Sequence, residues 1–215
     1  MNTDHELAVA PRSLEAQREE FSRRRGLAMP LAGTLAWAGI GLVGWLGTPY
    51  QAVMALYLGT GVIFYLGAFL SRWTGENFFA RNRPKNEFDR LFISAVLMCL
   101  LIFTIALPWA TQDYQSLPLS FGVLAGLMWL PYSWIIQHWV GVFHAVARSV
   151  LVLGAWYAFP AQRFVLIPAL IVAVYGVTIW VMERRWRLAQ RQARGESTVG
   201  QAVEQAGLAS VLARS

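Results

Sequence analysis

The sequence predicts an all-α, polytopic integral membrane bundle of six transmembrane helices, and three observations point there. First, the apolar residues come in long blocks instead of alternating with polar ones, although 56% of the 215 residues are hydrophobic and only 14% charged. The stretches 27–46 and 91–110 carry no charge at all, and about 20 apolar residues cross a hydrocarbon core roughly 30 Å thick. Second, aromatic residues sit at the block ends, among them Trp45, Tyr50, Trp109, Tyr157 and Trp186, where amphipathic rings favour the headgroup level. Third, Lys and Arg fall almost entirely between alternate blocks. With six spans, seventeen lie on the side of the N-terminus and Arg163 alone on the other, or sixteen if Arg148 is placed in the membrane. The positive-inside bias then puts both termini in the cytoplasm, which requires an even number of spans.

Taken in order, residues 1–26 read as a cytoplasmic leader containing a short surface helix over 13–25. Ser13 is its N-cap, and Glu19 with Arg23 and Glu20 with Arg24 are i, i+4 pairs. The first span, 27–46, places Gly33, Trp37, Gly41 and Gly44 on one face, a small-residue stripe that admits a close neighbour. Gly47 to Tyr50 make an outer turn, and the second span, 51–70, has Gly59 and Gly67 eight apart. The first two spans are therefore expected to form a close-packed hairpin. A polar loop, 71–90, carries five basic and three acidic residues, with a proline turn at Pro84. The third span is 91–110. The fourth, 119–136, is weakened by Gly122 and Gly126 and interrupted at Pro131, where a backbone hydrogen bond is lost. Gln137 to Trp139 turn into the fifth span, 140–159, and the sixth is 164–182. Residues 183–215 form a basic tail, helical to Arg194, loose beyond Gly195 and able to form a short helix over 199–212.

The stretch 130–160 draws attention because two histidines and an arginine stand in an aromatic, apolar run. Ionisable residues inside a span are costly, about 2.5 kcal/mol upward at the centre, and usually mark a site or a partner. His144 and Arg148 are i, i+4 neighbours on one helical face, with His138 and Trp139 nearer the cytoplasmic end. These four are the candidate ligand or lipid site. Arg148 is expected either to snorkel to the headgroups or to pair with the 71–90 loop, whose candidate partners are Glu76, Asn77, Glu87 and Asp89.

Several classes are excluded. The net charge of +6 borders apolar blocks, which suits anionic headgroups better than nucleic acid. A lone Cys99 provides neither a disulfide framework nor a zinc set, and the two histidines lack a third ligand, so neither metal nor cofactor is expected. A cleaved signal peptide is not expected, since the first apolar block is long and ends in Gly47-Thr48-Pro49. Nucleotide loops, metalloprotease motifs and nucleophile elbows do not occur.

Three stretches carry a family resemblance: Gly26 to Ala32 after the charged leader, Asn77-Phe78-Phe79 leading to Asn82 and Pro84, and Leu130 to Trp134. Over about residues 13–182 the chain resembles a family of small bacterial multi-pass membrane proteins of unknown function. The resemblance implies a bacterial inner-membrane location and transfers no catalytic residue. The expected role is non-enzymatic handling of a small molecule or lipid, or membership of a membrane assembly, with lipids and either a second copy or another membrane protein as partners. The alternative is an enzyme acting on a lipid headgroup, with His144 as acid or base and Arg148 holding a phosphate.

The charge bias makes topology testable. Reporters fused after Arg25, Lys85 and Arg194 are expected to read out cytoplasm, and those after Pro49, Gln115 and Gln162 the opposite side. A non-cytoplasmic signal at Lys85 would overturn the six-span order.

Overall fold

A computed structural model gives the fold; it describes residues 12–76 and 85–212, with side chains as far as residue 195. The described residues form helices and short 3-10 turns without a strand. Such an economy of form is required in lipid, where each backbone N–H and C=O must be satisfied inside its own segment. Six helical stretches are long and apolar enough to cross a membrane, so the chain is an all-α polytopic membrane bundle.

Helix α1, Leu14–Ser22, begins where the Ser13 hydroxyl accepts from the Ala16 N–H. It docks on the bundle through buried Phe21, which meets Tyr132 edge-on. Helix α2, Ala28–Leu46, has no cap of its own. Glu76, far along the chain, supplies one by accepting from the Leu27 and Ala28 N–H groups at 2.7 and 2.9 Å. A carboxylate there also faces the positive end of the helix dipole. Helix α3, Pro49–Thr74, opens with a reciprocal capping box between Thr48 and Gln51 and stops at Gly75, which is left-handed. Helix α4, Glu87–Gln112, is capped by Asn86 and ends at Asp113.

The fourth span is two helices, α5, Leu117–Leu127, and α6, Trp129–Ile136. The break at Met128 comes just before Pro131, whose missing N–H removes a rung of the ladder. Gln137 then adopts a left-handed conformation, φ 50°, and within three residues the chain re-enters helix as α7, Val140–Ala158. Helix α8 is one unbroken element, Arg163–Leu212. The reading of the tail as loose beyond Gly195 is corrected to this extent: a glycine inside a helix costs only about 1 kcal/mol, and the Gln, Ala and Glu residues after it favour helix. The second and third spans likewise run several residues beyond the apolar blocks 51–70 and 91–110, because capping polar residues extend both ends.

In the bundle α2 and α3 form a tight hairpin, α8 lies against both α2 and α7, and α7 also packs on α5 and α6. Helices α3 and α4 lie at the periphery with large apolar side chains exposed, including Leu58, Phe64, Ile93 and Ile105, as lipid-facing helices require. The hairpin was expected, but the small-residue stripe of α2 does not serve it. A Cβ at Gly33, Gly41 or Gly44 would run into Tyr175, Pro168 or Phe164, all on α8. The hairpin uses the glycines of α3 instead: a Cβ at Gly59 would strike Ile40 and one at Gly67 the Met29 sulfur. Lipid tails are as apolar as leucine, so close packing at small residues is what drives these helices together.

One end of the bundle is rich in arginine. Arg25 makes a fork to Glu183 at 2.9 and 3.0 Å, Arg24 pairs with Asp89 and Glu20, and Arg185 donates to the Ser22 carbonyl at 2.7 Å. Asn86 donates to the Gln17 carbonyl at 2.8 Å. At the other end Arg163 lies over Trp156, its centre 4.0 Å from the ring centroid, and reaches Gln115 at 2.9 Å.

Glycine substitutions separate packing from propensity. At Gly44 a Cβ would lie 2.3 Å from the Phe164 carbonyl oxygen, whereas at Gly39 it would meet nothing. Gly44→Ala is expected to cost about 1–3 kcal/mol and Gly39→Ala essentially nothing, measured as thermal unfolding in one detergent. Equal loss at both positions would contradict this packing of α2 on α8.

Candidate functional site

The site is built from three pairs of residues spaced for one helix face and supplied by different helices. His144 and Arg148 lie on α7, Tyr175 and Thr178 on α8, and Gly122 and Gly126 on α5. Helix α2 adds Gly33 and Trp37, again four apart, and α6 adds Trp129. At about 1.5 Å per residue, Arg148 lies roughly 12 Å from the start of α7 and 15 Å from its end. The arginine is therefore at the middle of its span. His144, Arg148, Trp37 and Thr178 are each 0% exposed.

Glycine makes room for the arginine. A Cβ at Gly126 would lie 3.0 Å from Arg148 Cδ and 3.3 Å from its Nε, so the side chain lies flat along α5 only because nothing protrudes there. Its Nε donates to the Gly122 carbonyl at 2.5 Å, and Nη1 reaches the Tyr175 hydroxyl at 3.4 Å. The guanidinium carbon stands 5.2 Å from the Trp37 ring centroid and 5.7 Å from that of Tyr175. Aromatic faces attract a cation more strongly once water is gone. The Tyr175 hydroxyl itself occupies space that a Cβ on Gly33 would fill, at 2.5 Å.

His144 is pinned on three sides. It stacks on Trp129 with ring centroids 4.3 Å apart, meets Tyr175 edge-on at 4.7 Å, and places Nδ1 2.8 Å from the Thr178 hydroxyl oxygen. That hydroxyl donates its one hydrogen to the Val174 carbonyl at 2.8 Å. With its hydrogen assigned there, the hydroxyl accepts from the imidazole, which assigns the His144 proton to Nδ1 and leaves Nε2 as an acceptor. Three buried polar atoms of this cluster have no hydrogen-bond partner: Trp37 Nε1, His144 Nε2 and Arg148 Nη2. Native proteins pair nearly all such groups, so three orphaned atoms in one cluster are a feature in search of a ligand.

The sequence placed His144 and Arg148 together, and they are together. His138 and Trp139 stand apart from them at the α6–α7 junction, where His138 stacks on Trp139 and Trp139 meets Phe143 edge-on. The His138 carbonyl accepts from the Ser133 hydroxyl, and its Nδ1 accepts from the Val140 N–H at 3.3 Å, so the residue caps a turn. The expected carboxylate partners of Arg148 are corrected too, since each is engaged at the arginine-rich end. Glu76 caps α2, Glu87 pairs with Arg90 and Asp89 with Arg24. Asn77 lies outside the described residues. Sequence reasoning missed Trp37, Trp129, Tyr175 and Thr178. The last two had a signal, a pair of hydroxyls three apart on one face of an otherwise apolar span.

His138 is held below the ordinary histidine range, first by burial and then by the charge of Arg185. The folded state thus prefers the neutral ring, while the unfolded chain takes up a proton near pH 6.5 or so. Stability is then present above that value and declines as pH falls through it. The midpoint of thermal unfolding is expected to drop between pH 7.5 and 5.5, by less in His138→Gln; identical slopes would refute the role of this ring.

Residues 14–185 match the model of a family of unknown function (DUF7010). No curated protein and no solved structure matches the chain.

Proposed function

We propose that this chain, which belongs to that family of unknown function, is a non-enzymatic membrane protein that holds a small polar molecule or a lipid headgroup at the Arg148 cluster. One observation carries the reading: Trp37 Nε1, His144 Nε2 and Arg148 Nη2 are buried and unpartnered, with Arg148 over the Trp37 ring and both Arg148 and His144 against Tyr175. A mid-span guanidinium without a carboxylate costs several kcal/mol, and a cost of that kind is retained where it serves recognition. Acid–base catalysis by His144 is less well supported. Its Nδ1 is bonded to the Thr178 hydroxyl, and no described carboxylate stands behind the ring to stabilise an imidazolium. The arginine bias supports a cytoplasmic placement of both termini. The resemblance to small bacterial membrane proteins supports the inner membrane as the location.

Replacing a buried, incompletely paired charge by an apolar side chain of similar bulk is often neutral or stabilising. Arg148→Leu is therefore expected to insert and to unfold no earlier than the parent, yet to lose the molecules that co-purify with it, as read by native mass spectrometry. Arg148→Lys is expected to restore retention only in part, since the planar fork is gone. Retention of the same molecules by Arg148→Leu would sink the reading.

A further inference from the structure

The three orphaned atoms differ in kind, and their difference specifies a ligand. Arg148 Nη2 and Trp37 Nε1 are donors; His144 Nε2, by the hydrogen-bond direction through Thr178 to Val174, is an acceptor. A guanidinium keeps its charge in proteins, and no carboxylate among the described residues forms an ion pair with this one. The missing partner must therefore bring one negative charge, oxygens that accept from a planar fork and an indole N–H, and one hydrogen to donate to the imidazole. Chloride and nitrate have no hydrogen to give, and an ionised carboxylate group has none either. A neutral alcohol or amide leaves the charge uncompensated.

Resting on the reading of the Arg148 cluster as a ligand site, we infer that it takes a monoanionic oxyanion that still carries an O–H, the chemistry of dihydrogen phosphate and of a singly ionised phosphate monoester. A single buried arginine matches a single negative charge. The second proton of a phosphate monoester, which leaves near pH 6 in water, is favoured to stay in a site where a second charge would have no partner. Arg148 accounts for the charge, Trp37 for a second oxygen, and His144 for the O–H. The phosphate is either free in solution or the headgroup of a phosphatidic-acid type lipid, both of which offer the same group.

The test compares anions on the intact protein in neutral detergent at constant ionic strength, following the unfolding midpoint. Inorganic phosphate is expected to raise the midpoint saturably and to bind about tenfold or more tightly than nitrate, the loss that follows from leaving one buried acceptor unpaired. His144→Phe, which keeps the stack on Trp129, is expected to bring phosphate and nitrate level, and Arg148→Leu to abolish both responses. A parallel arm adds phosphatidic acid to phosphatidylcholine nanodiscs: stabilisation there without a response to free phosphate assigns the group to a lipid. Nitrate binding as well as phosphate in the parent protein would overturn the inference, and this comparison needs no variant. If no phosphate of either source binds while Arg148→Leu still loses a neutral co-purifying molecule, the inference fails and the ligand site stands. If Arg148→Leu also retains everything the parent retains, both fail.

Discussion

The constraint on which the rest of this bundle depends is that Arg148 must keep a permanent charge in the middle of a span. Arg148 is 0% exposed, and the protein surrounds its guanidinium with groups from three other helices. The Gly122 carbonyl and Tyr175 hydroxyl accept hydrogen bonds, while Trp37 and Tyr175 present aromatic faces. Each of these contacts demands a backbone at close range, which explains the glycines. Gly126 lets α5 lie against the arginine stem, and Gly33 lets α2 lie against the tyrosine. Helix α8 is central for the same reason, since Tyr175 and Thr178 must reach both members of the α7 pair.

The polar end of the bundle obeys a different rule. Exposed ion pairs contribute little each, commonly under about 1 kcal/mol. Here they are arranged so that α1 touches the starts and ends of distant helices. Arg24 reaches Asp89 on α4, Arg25 reaches Glu183 on α8, and the Ser22 hydroxyl reaches the Ile135 carbonyl on α6 at 3.4 Å. Together with the buried Phe21, these make the leader a clasp across one face. They also occupy the carboxylates that charge alone would have sent to Arg148. The acids that the sequence offered to Arg148 are therefore not beside it in the fold, because Glu76, Glu87 and Asp89 have nearer partners at the boundary.

Much of this architecture was legible in the residues. Uncharged blocks such as 27–46 and 91–110 specify spans by length alone, Ser13 and its spaced Glu–Arg pairs specify α1, and Pro131 marks the divided fourth span. Half of the candidate site was legible as well, since His144 and Arg148 share a helix face by arithmetic. What could not be read was which face meets which helix. The glycine stripe of α2 announces a close neighbour without naming it, and α8 holds that place while α3 brings glycines of its own. Trp37 and Trp129 look like ordinary residues of an apolar span, the hydroxyls of Tyr175 and Thr178 mark a face without naming its partner, and only the crossing of α2, α6, α7 and α8 gathers the four. The end of α8 misled for a local reason: Gly195 reads as a stop, but one glycine is a small penalty in a long helix.

The remote cap on α2 bears on how such a chain is made. Leu27 and Ala28 donate to a carboxylate 49 and 48 residues downstream, at the far end of the returning helix. While α2 is emerging from the ribosome, Glu76 has not yet been synthesised, and the first turn of the helix has open N–H groups. The turn is completed only after α3 has crossed back and delivered its end to the same face. The first two spans are thus one structural unit, since the opening turn of the first is closed by a side chain that follows the second.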